Sequence, residues 1–209
     1  DPIVAIVELV ANCWDAGATK VDILWPEQSG EPLKITDNGQ GMTKDEFYKR
    51  WGTLSYDRTR IQGNTVEVPS GNIKRLRQVF GCNGVGRFAA FCFGSEYEVT
   101  TTKNGEENRF IVKKGKTRPL EFSYLGTASS GIKGTVIQIT SIKGEIIGAT
   151  AIRTELGRRF LTDPSFQVMV NNVKIAFEDI EEKGLDSIIV HVQELDISIK
   201  VRIIDAKRT

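Results

Sequence analysis

Apolar residues at the start of the chain repeat with the spacing of a helix. Between Ile6 and Cys13 they recur at i, i+3, i+4 and i+7, which predicts an amphipathic helix over 2–16. Gly17 stands where such a helix would end. Further helices are predicted over 43–51, 84–93 and 149–161.

Strand-like alternation dominates the second half of the chain. The clearest hairpin signal is Asn104-Gly105, because Asn-Gly favours the tight turn between antiparallel strands. A second hairpin is predicted across Asn171-Asn172. The predicted strands are 21–25, 33–36, 96–102, 108–114, 120–125, 135–142, 166–170, 173–177, 187–193 and 197–204. The economical architecture is an α+β two-layer sandwich, in which helices cover one face of a mostly antiparallel mixed sheet.

The stretch from Gly52 to about Phe80 is weakly apolar and irregular. It is too long for an ordinary connection between two elements of a domain, so the sequence predicts that it is either disordered or a functional lid. Between Arg58 and Arg87 there are six basic residues and one acidic residue, a local charge of +5 that suits a polyphosphate ligand.

The overall composition limits what the protein does. Its 209 residues carry 28 Lys and Arg against 27 Asp and Glu, and a net charge of +1 argues against a protein that binds polyanions over its whole surface. No apolar run approaches the roughly 20 residues that span a bilayer, and no signal peptide is recognised. Three cysteines without a C-x-x-C pair indicate reduced thiols, and a single histidine, His191, excludes a multi-histidine metal centre. We therefore expect a soluble, cytoplasmic protein.

Three polar residues share one face of the first predicted helix. At about 100° per residue, Glu8, Asn12 and Asp15 fall within a narrow stripe opposite the apolar face. One interpretation is a solvated polar face. The other is a cleft, because two carboxylates and an amide suit a metal–phosphate site with a base that activates water.

A second candidate lies directly after a predicted strand, at Asp37-Asn38-Gly39-Gln40-Gly41-Met42. These residue types are common in turns for backbone reasons alone. Alternatively, the two glycines let the backbone approach a flat ligand, and Asp37 accepts a hydrogen bond from an exocyclic amine.

A third candidate is the glycine-rich stretch 81–88, which leads into a predicted helix whose N-terminal amides suit a phosphate. Gly84 to Ala89 formally fits the dinucleotide pattern G-x-G-x-x-A, but 77–80 makes a poor strand and no acidic strand end follows at the required distance. We reject that interpretation. No Walker A sequence occurs, which also excludes a P-loop enzyme.

In order and rough spacing, the three stretches together resemble the ATP-binding motifs of the GHKL superfamily, which includes gyrase B subunits, ninety-kilodalton heat-shock chaperones, MutL proteins and sensor histidine kinases. The motifs read Glu8-x-x-x-Asn12-x-x-Asp15, Asp37-x-Gly39-x-Gly41-Met42 and Gly81-x-x-Gly84-x-Gly86, with Gly134-Thr135 as a fourth element. Gly52-Thr53-x-Ser55 is similar to a stretch near the lid of chaperone-like and MORC-like members. The resemblance covers about residues 1–161 and favours the chaperone, MutL and MORC-like branch.

This resemblance implies a Bergerat ATP-binding fold with ATP and Mg²⁺ as its ligands. Asn12 is expected to ligate the Mg²⁺, Asp37 to accept from the adenine amine, and Thr135 to lie near the adenine. The expected surroundings are Asp15, Gly39, Gly41 and Met42 at the base pocket, Thr53 and Ser55 near the lid, and Gly84, Val85, Gly86, Arg87 and Phe88 at the lid hinge.

Glu8 distinguishes between branches of the superfamily. In the gyrase, MutL and chaperone branches a glutamate in this place polarises the attacking water, whereas sensor kinases generally lack it. The resemblance therefore favours an ATPase with Glu8 as its catalytic residue. A regulatory module that binds nucleotide without hydrolysis and a histidine kinase catalytic domain remain alternatives. His191 lies in a predicted strand and is expected to be structural.

We expect an ATP-binding domain over 1–180, with its lid at about 52–86, and terminal strands over 181–209 at which a following domain would begin. Lid closure would drive a conformational change in a longer protein. ATP and ADP are the expected partners, homodimerisation on ATP binding stays open, and the client is not identified. The sequence indicates neither a membrane nor a nucleic acid as a partner.

Overall fold

The computed structural model describes residues 1–52, 63–70, 73–80, 86–116, 118–142, 146–180, 186–192 and 196–203. The described helices are α1 (Pro2–Asp15), α2 (Lys44–Gly52) and α3 (Ala149–Phe160), with 3₁₀ helices at Gly86–Cys92 and Phe177–Asp179. The strands are β1 (Lys20–Leu24), β2 (Leu33–Asp37), β3 (Thr65–Ser70), β4 (Ile73–Gln78), β5 (Glu96–Lys103), β6 (Glu106–Lys114), β7 (Leu120–Ser129), β8 (Gly134–Ile139), β9 (Gln167–Val170), β10 (Val173–Lys174), β11 (Asp186–Val192) and β12 (Ile197–Ile203).

Eight of the strands form one sheet in the order β10-β9-β1-β2-β8-β5-β6-β7. The pairing of β1 with β9 is parallel, and every other pairing in this sheet is antiparallel. The core lies between this sheet and the helical layer, since buried residues of the central strands and of α1 and α3 form one cluster. The predicted α+β two-layer sandwich is therefore confirmed.

Helix α1 is the centre of the helical layer. The Asp1 carboxylate caps its first turn by accepting from the N–H of Ile3 at 2.8 Å, and Pro2 follows at a position where no intrahelical donor is needed. On its apolar face, Ile6, Leu9 and Val10 are fully buried. After the helix, Gly17 adopts a φ of +74°, a left-handed conformation that glycine tolerates best.

The predicted turn signals are confirmed. Asn104 and Gly105 both have positive φ, as do Asn171 and Asn172, so each pair makes the tight turn that matches the twist of a hairpin. At the start of α2, Thr43 and Glu46 exchange the two hydrogen bonds of a capping box, at 2.8 and 3.2 Å.

The prediction for Gly52 to Phe80 was wrong in part. Residues 65–70 and 73–78 are not irregular, because β3 and β4 pair with each other as antiparallel strands. Alternating valines explain the hairpin, since Val66 and Val68 are buried while Glu67 is exposed. Residues 53–62 and 71–72 of the same stretch lie outside the described residues.

Smaller differences concern the ends of elements. The helix predicted over 84–93 is a 3₁₀ helix from Gly86 to Cys92, and β7 runs four residues further than predicted, to Ser129. The two terminal strands, β11 and β12, pair with each other in a separate two-stranded sheet. The division of the chain near residue 180 stays a prediction. Among the described helices, none has the length and apolarity that crossing a membrane requires.

Candidate functional site

Two of the three polar residues predicted on α1 lie at the molecular surface, one helical turn apart. Asn12 is exposed and Glu8 is partly exposed, although the residues around them on the helix are buried. No described residue forms a hydrogen bond or ion pair with the Glu8 carboxylate, and the N-terminal cap of the helix is made by Asp1 instead. Glu8 is therefore not occupied by a capping or salt-bridge role within the described part of the chain.

The third polar residue of α1 has a different environment. Asp15 is only 6% exposed, and its Oδ1 accepts a hydrogen bond from the backbone N–H of Phe80 at 2.6 Å. Phe80 follows β4 directly and packs against the core. Asp15 therefore attaches the end of the β3–β4 hairpin to α1, a contact that the sequence did not predict; its expected support of a base pocket stays a prediction.

Asp37 ends strand β2 and is buried. Its Oδ1 accepts from the backbone N–H of Gly39 at 2.7 Å, and the Cys13 thiol of α1 lies beside it. Burial raises the pKa of Asp37 from 3.8 to about 6, although the hydrogen bonds from Gly39, Cys13 and Thr135 act in the opposite direction. A buried carboxylate at a strand end is an acceptor of the kind that a ligand amine can satisfy.

The glycines after Asp37 are required by the protein backbone itself. Gly41 has a φ of +63°, and a Cβ there would lie 2.0 Å from the carbonyl oxygen of Thr102. A Cβ at Gly39 would lie 2.8 Å from the carbonyl oxygen of Ala16. The loop is thus pressed between β5 and the end of α1, and any approach of a ligand to these glycines stays a prediction.

Neighbouring strands place two threonines next to this loop. Thr135 on β8 pairs with both Asp37 on β2 and Thr101 on β5. The Oγ1 of Thr101 accepts from the backbone N–H of Met42 at 2.8 Å and lies 3.4 Å from the Oγ1 of Thr135. Sequence reasoning missed Thr101, which is fully buried; its place in an alternating strand opposite Thr135 was the only available signal.

Among the predicted hinge residues that the structure describes, Gly86 approaches the metal-ligand candidate. A Cβ at Gly86 would lie 2.8 Å from both Oδ1 and Nδ2 of Asn12, so a larger residue would have to displace the exposed Asn12 side chain. The Arg87 side chain is directed elsewhere: its guanidinium donates to the backbone carbonyl of Arg50 in α2, and burial lowers its pKa. Phe88 is partly buried against the core. Thr53, Ser55, Gly84 and Val85 lie outside the described residues.

The structure therefore brings the predicted residues together in two groups around α1. One group, at the end of β2, contains Asp37, Met42 and Thr135; the other, on the outer face of the helix, contains Glu8, Asn12 and Gly86. Cys13 follows Asn12 in α1 and lies beside Asp37. Adjacent residues of one helix therefore connect the two groups.

A family model described as "Histidine kinase-, DNA gyrase B-, and HSP90-like ATPase" matches residues 2–144, most of the chain. The chain belongs to this family. The GHKL resemblance inferred from the motifs is thereby confirmed, and the domain is an ATP-binding module of the GHKL type. The two groups of residues described above both lie within the matched region.

Named relatives fit the chaperone and MutL-like branch of the GHKL family. A protein of Herpetosiphon aurantiacus, provisionally named as the type II restriction enzyme HgiDII, is 32% identical over 186 residues, 83% of this chain and 29% of that protein. The chaperone protein HtpG of Paramagnetospirillum magneticum is 32% identical over 123 residues, 58% of this chain and 19% of HtpG. HtpG of Campylobacter jejuni is 32% identical over 85 residues, 41% of this chain and 14% of HtpG. The GHKL chain thus spans less than a third of the length of each of these relatives.

Proposed function

We propose that this GHKL module binds Mg²⁺·ATP and hydrolyses it, and that nucleotide binding drives a conformational change in a longer protein. The observation that carries the proposal is the close approach of Gly86 to Asn12, one turn from Glu8, with which no described residue pairs. Relatives named as a restriction enzyme and as a chaperone support a role inside a larger assembly. The proposal includes the expected lid at about 52–86. The β3–β4 hairpin lies within this range, but we do not expect it to move when the lid closes.

Adenine would be recognised on the sheet side of α1. The Asp37 carboxylate is buried at the end of β2, and an adenine amine is a donor that fits it. Guanine carries a carbonyl at the corresponding position, which would place an acceptor against an acceptor. The thiol of Cys13 stays protonated because burial, and then the charge of Asp37, raise its pKa, so the carboxylate is the anionic group of this pocket.

The triphosphate would lie on the exposed side of α1. The Asn12 side chain offers one amide oxygen as a Mg²⁺ ligand, and a single protein oxygen with phosphates and waters is a usual way to hold this ion. A bound Mg²⁺ supplies charge neutralisation on the phosphate oxygens. Gly86 leaves room for this arrangement, because a larger residue would contact the Asn12 amide.

Glu8 would act on the attacking water. It lies one turn before Asn12 on the same helix, so a terminal phosphate near Asn12 is also near the Glu8 carboxylate. Glu8 would orient a water for in-line attack and accept its proton, as the new P–O bond forms and ADP leaves. Because the carboxylate has no other described partner, it is available for this role.

Calorimetric titration of the protein with ATP, in Mg²⁺ and in EDTA, tests the proposal when combined with phosphate release. We expect Mg²⁺-dependent ATP binding, weaker binding of GTP, and slow release of phosphate. Equal affinity for ATP and GTP would refute the role of Asp37. Tight ATP binding with no phosphate release would favour the regulatory module over the ATPase.

A further inference from the structure

The backbone carbonyl of Arg87, next to Gly86, is held by a side chain that the predicted site does not include. The Tyr97 hydroxyl, from β5, donates to this carbonyl at 2.8 Å. Tyr97 is only 2% exposed, and burial raises the pKa of its hydroxyl. The hydroxyl is therefore protonated at neutral pH and acts as a donor.

A second element fixes the same hydroxyl. The indole Nε1 of Trp51, in the last turn of α2, donates to the Tyr97 oxygen at 3.0 Å. The neighbouring carbonyl of Arg50 accepts from the Arg87 guanidinium. Arg87 is thus held through its main chain by Tyr97 and through its side chain by α2.

This network ends at the metal-ligand candidate. Gly86 precedes Arg87, and it approaches the Asn12 amide so closely that a Cβ would lie 2.8 Å from its oxygen and nitrogen. The position of the Arg87 peptide therefore determines where Gly86 lies against Asn12. A released peptide would sample several positions, and only a fraction of the molecules would have the geometry that binds metal and phosphate.

We propose that Tyr97 is a positioning residue for the phosphate side of the nucleotide site, acting through the Arg87 carbonyl on Gly86 and Asn12. The proposal rests on the ATP-binding function proposed above. The described hydrogen bonds link the Tyr97 hydroxyl to Arg87 and Trp51 and to none of Asp37, Met42 and Thr135, so we expect it to act on the phosphate side of the site.

The test is Tyr97→Phe, with Tyr124→Phe as a matched control. Tyr124 lies on β7 of the same sheet, and its hydroxyl donates to the buried Oδ1 of Asn108 at 3.0 Å. Each substitution removes one hydroxyl and leaves a buried acceptor without its donor, and Tyr97→Phe also leaves the Trp51 indole N–H without its acceptor, so Tyr97→Phe should lower the melting temperature at least as much as Tyr124→Phe. Only Tyr97 is connected to Gly86.

Affinities for Mg²⁺·ATP and for adenosine should be measured by calorimetry on the wild type and both variants. We expect Tyr97→Phe to weaken Mg²⁺·ATP binding about tenfold while adenosine affinity stays within about twofold. Tyr124→Phe should change neither. The positioning role is overturned if Tyr97→Phe lowers the affinities for Mg²⁺·ATP and for adenosine equally, or if its affinity for Mg²⁺·ATP equals that of Tyr124→Phe.

Two further outcomes are distinguishable. A wild type that binds no ATP refutes the proposed function itself, whatever the variants do. If Tyr97→Phe does not fold, Trp51→Phe replaces it, because phenylalanine keeps an aromatic ring beside Phe47, which stacks on Trp51 at 4.9 Å, and removes only the donor to Tyr97. We then expect a weaker loss of Mg²⁺·ATP affinity with adenosine affinity retained, and no loss would overturn the proposal.

Discussion

The two sides of the candidate site are built in different ways. On the adenine side, Asp37 and Thr135 are buried and their positions are set by strand pairing within the large sheet. On the phosphate side, Glu8 and Asn12 lie on an open helix face, and Gly86 begins a 3₁₀ helix. On the first side the polar groups already have partners within the protein, whereas the second side presents polar groups that a ligand would have to satisfy.

This difference suggests which side of the candidate site determines nucleotide affinity and which side determines turnover. A buried carboxylate in a rigid sheet discriminates between bases, because a mismatched base leaves it unpaired in a region of low dielectric constant. Exposed groups on a helix tolerate a change in their surroundings during a reaction cycle. We therefore expect substitutions on the adenine side to act on affinity and substitutions on the phosphate side to act on turnover and metal dependence.

The largest expected effect comes from Glu8→Gln. Glutamine keeps the shape and part of the hydrogen bonding of Glu8 but is a far weaker base, so phosphate release should fall by about 10²–10⁴. ATP affinity should change little, because in the proposed mechanism Glu8 contacts the water and not the nucleotide. Asn12→Ala should instead lose Mg²⁺-dependent binding and turnover together.

Phosphate release and calorimetric affinity measured on the same preparations check this prediction. Glu178→Gln is the matched control, since Glu178 is exposed in the second 3₁₀ helix and the substitution makes the same change of charge. Wild-type turnover in Glu8→Gln would exclude the general-base role and favour the regulatory module.

The next effect is on the adenine side. Asp37→Ala removes the buried acceptor, and an unpaired amine costs about 1–3 kcal/mol, so ATP affinity should fall by about 10- to 100-fold. Adenosine affinity should fall by a similar factor. Asn12→Ala, in contrast, should spare adenosine; if both variants lose adenosine equally, the two sides of the site are not separate.

A smaller effect is expected at the hairpin beside the site. Arg77 on β4 is buried with its guanidinium 4.1 Å from the Trp14 ring centre, and it donates to the backbone carbonyls of Trp14 and Ala18. Arg77→Leu should lower the free energy of unfolding by about 2 kcal/mol, because a cation–π contact and two hydrogen bonds are lost. Lys74→Leu on the same strand, where Lys74 is exposed, should change it by less than about 0.5 kcal/mol.

Urea denaturation measures both variants, and hydrogen exchange of the hairpin adds a test of the lid. Since Arg77, Asp15 and Trp14 attach the β4 end of the hairpin to α1, its amides should be protected without nucleotide. If the amides of 65–70 and 73–78 exchange rapidly and this exchange slows when an ATP analogue is added, the hairpin would be part of the mobile lid.

Local sequence signals predicted most of the fold. The Asn-Gly and Asn-Asn turns, the capping box at Thr43 and the period of α1 each act over a few residues, so their outcome does not depend on distant contacts. The β3–β4 hairpin was missed because Arg77 interrupts its apolar pattern. Arg77 is buried only because Trp14 and Phe166, which are remote in sequence, surround its guanidinium.

The candidate site was predictable to the extent that its motifs are contiguous. Glu8, Asn12 and Asp37 carry recognisable spacings, whereas Thr101 and Tyr97 act through partners that only the folded sheet brings near. Asp15 illustrates the same limit: helical spacing placed it in one stripe with Glu8 and Asn12, but it is buried, and its bond to the Phe80 amide depends on where the hairpin ends. Contacts between residues that are distant in sequence therefore determine which polar side chains hold other parts of the site in place.

The smallest expected effect is the pH dependence of the adenine side. Since the pKa of Asp37 is raised to about 6, the carboxylate proposed to accept the adenine amine is lost as the pH falls, and ATP affinity should drop about twofold at pH 6 and about tenfold at pH 5. Stability without nucleotide should change in the opposite direction. The folded state binds more protons than the unfolded chain between pH 3.8 and about 6, so this carboxyl raises the free energy of unfolding as the pH falls through that window.

Asp37→Asn should abolish both dependences, and calorimetric titrations and urea denaturation at pH 5 to 7.5 measure the differences from wild type. If affinity and stability fall together with pH in a manner that depends on Asp37, the folded protein stabilises the ionised carboxylate, and the pKa of Asp37 is lowered and not raised.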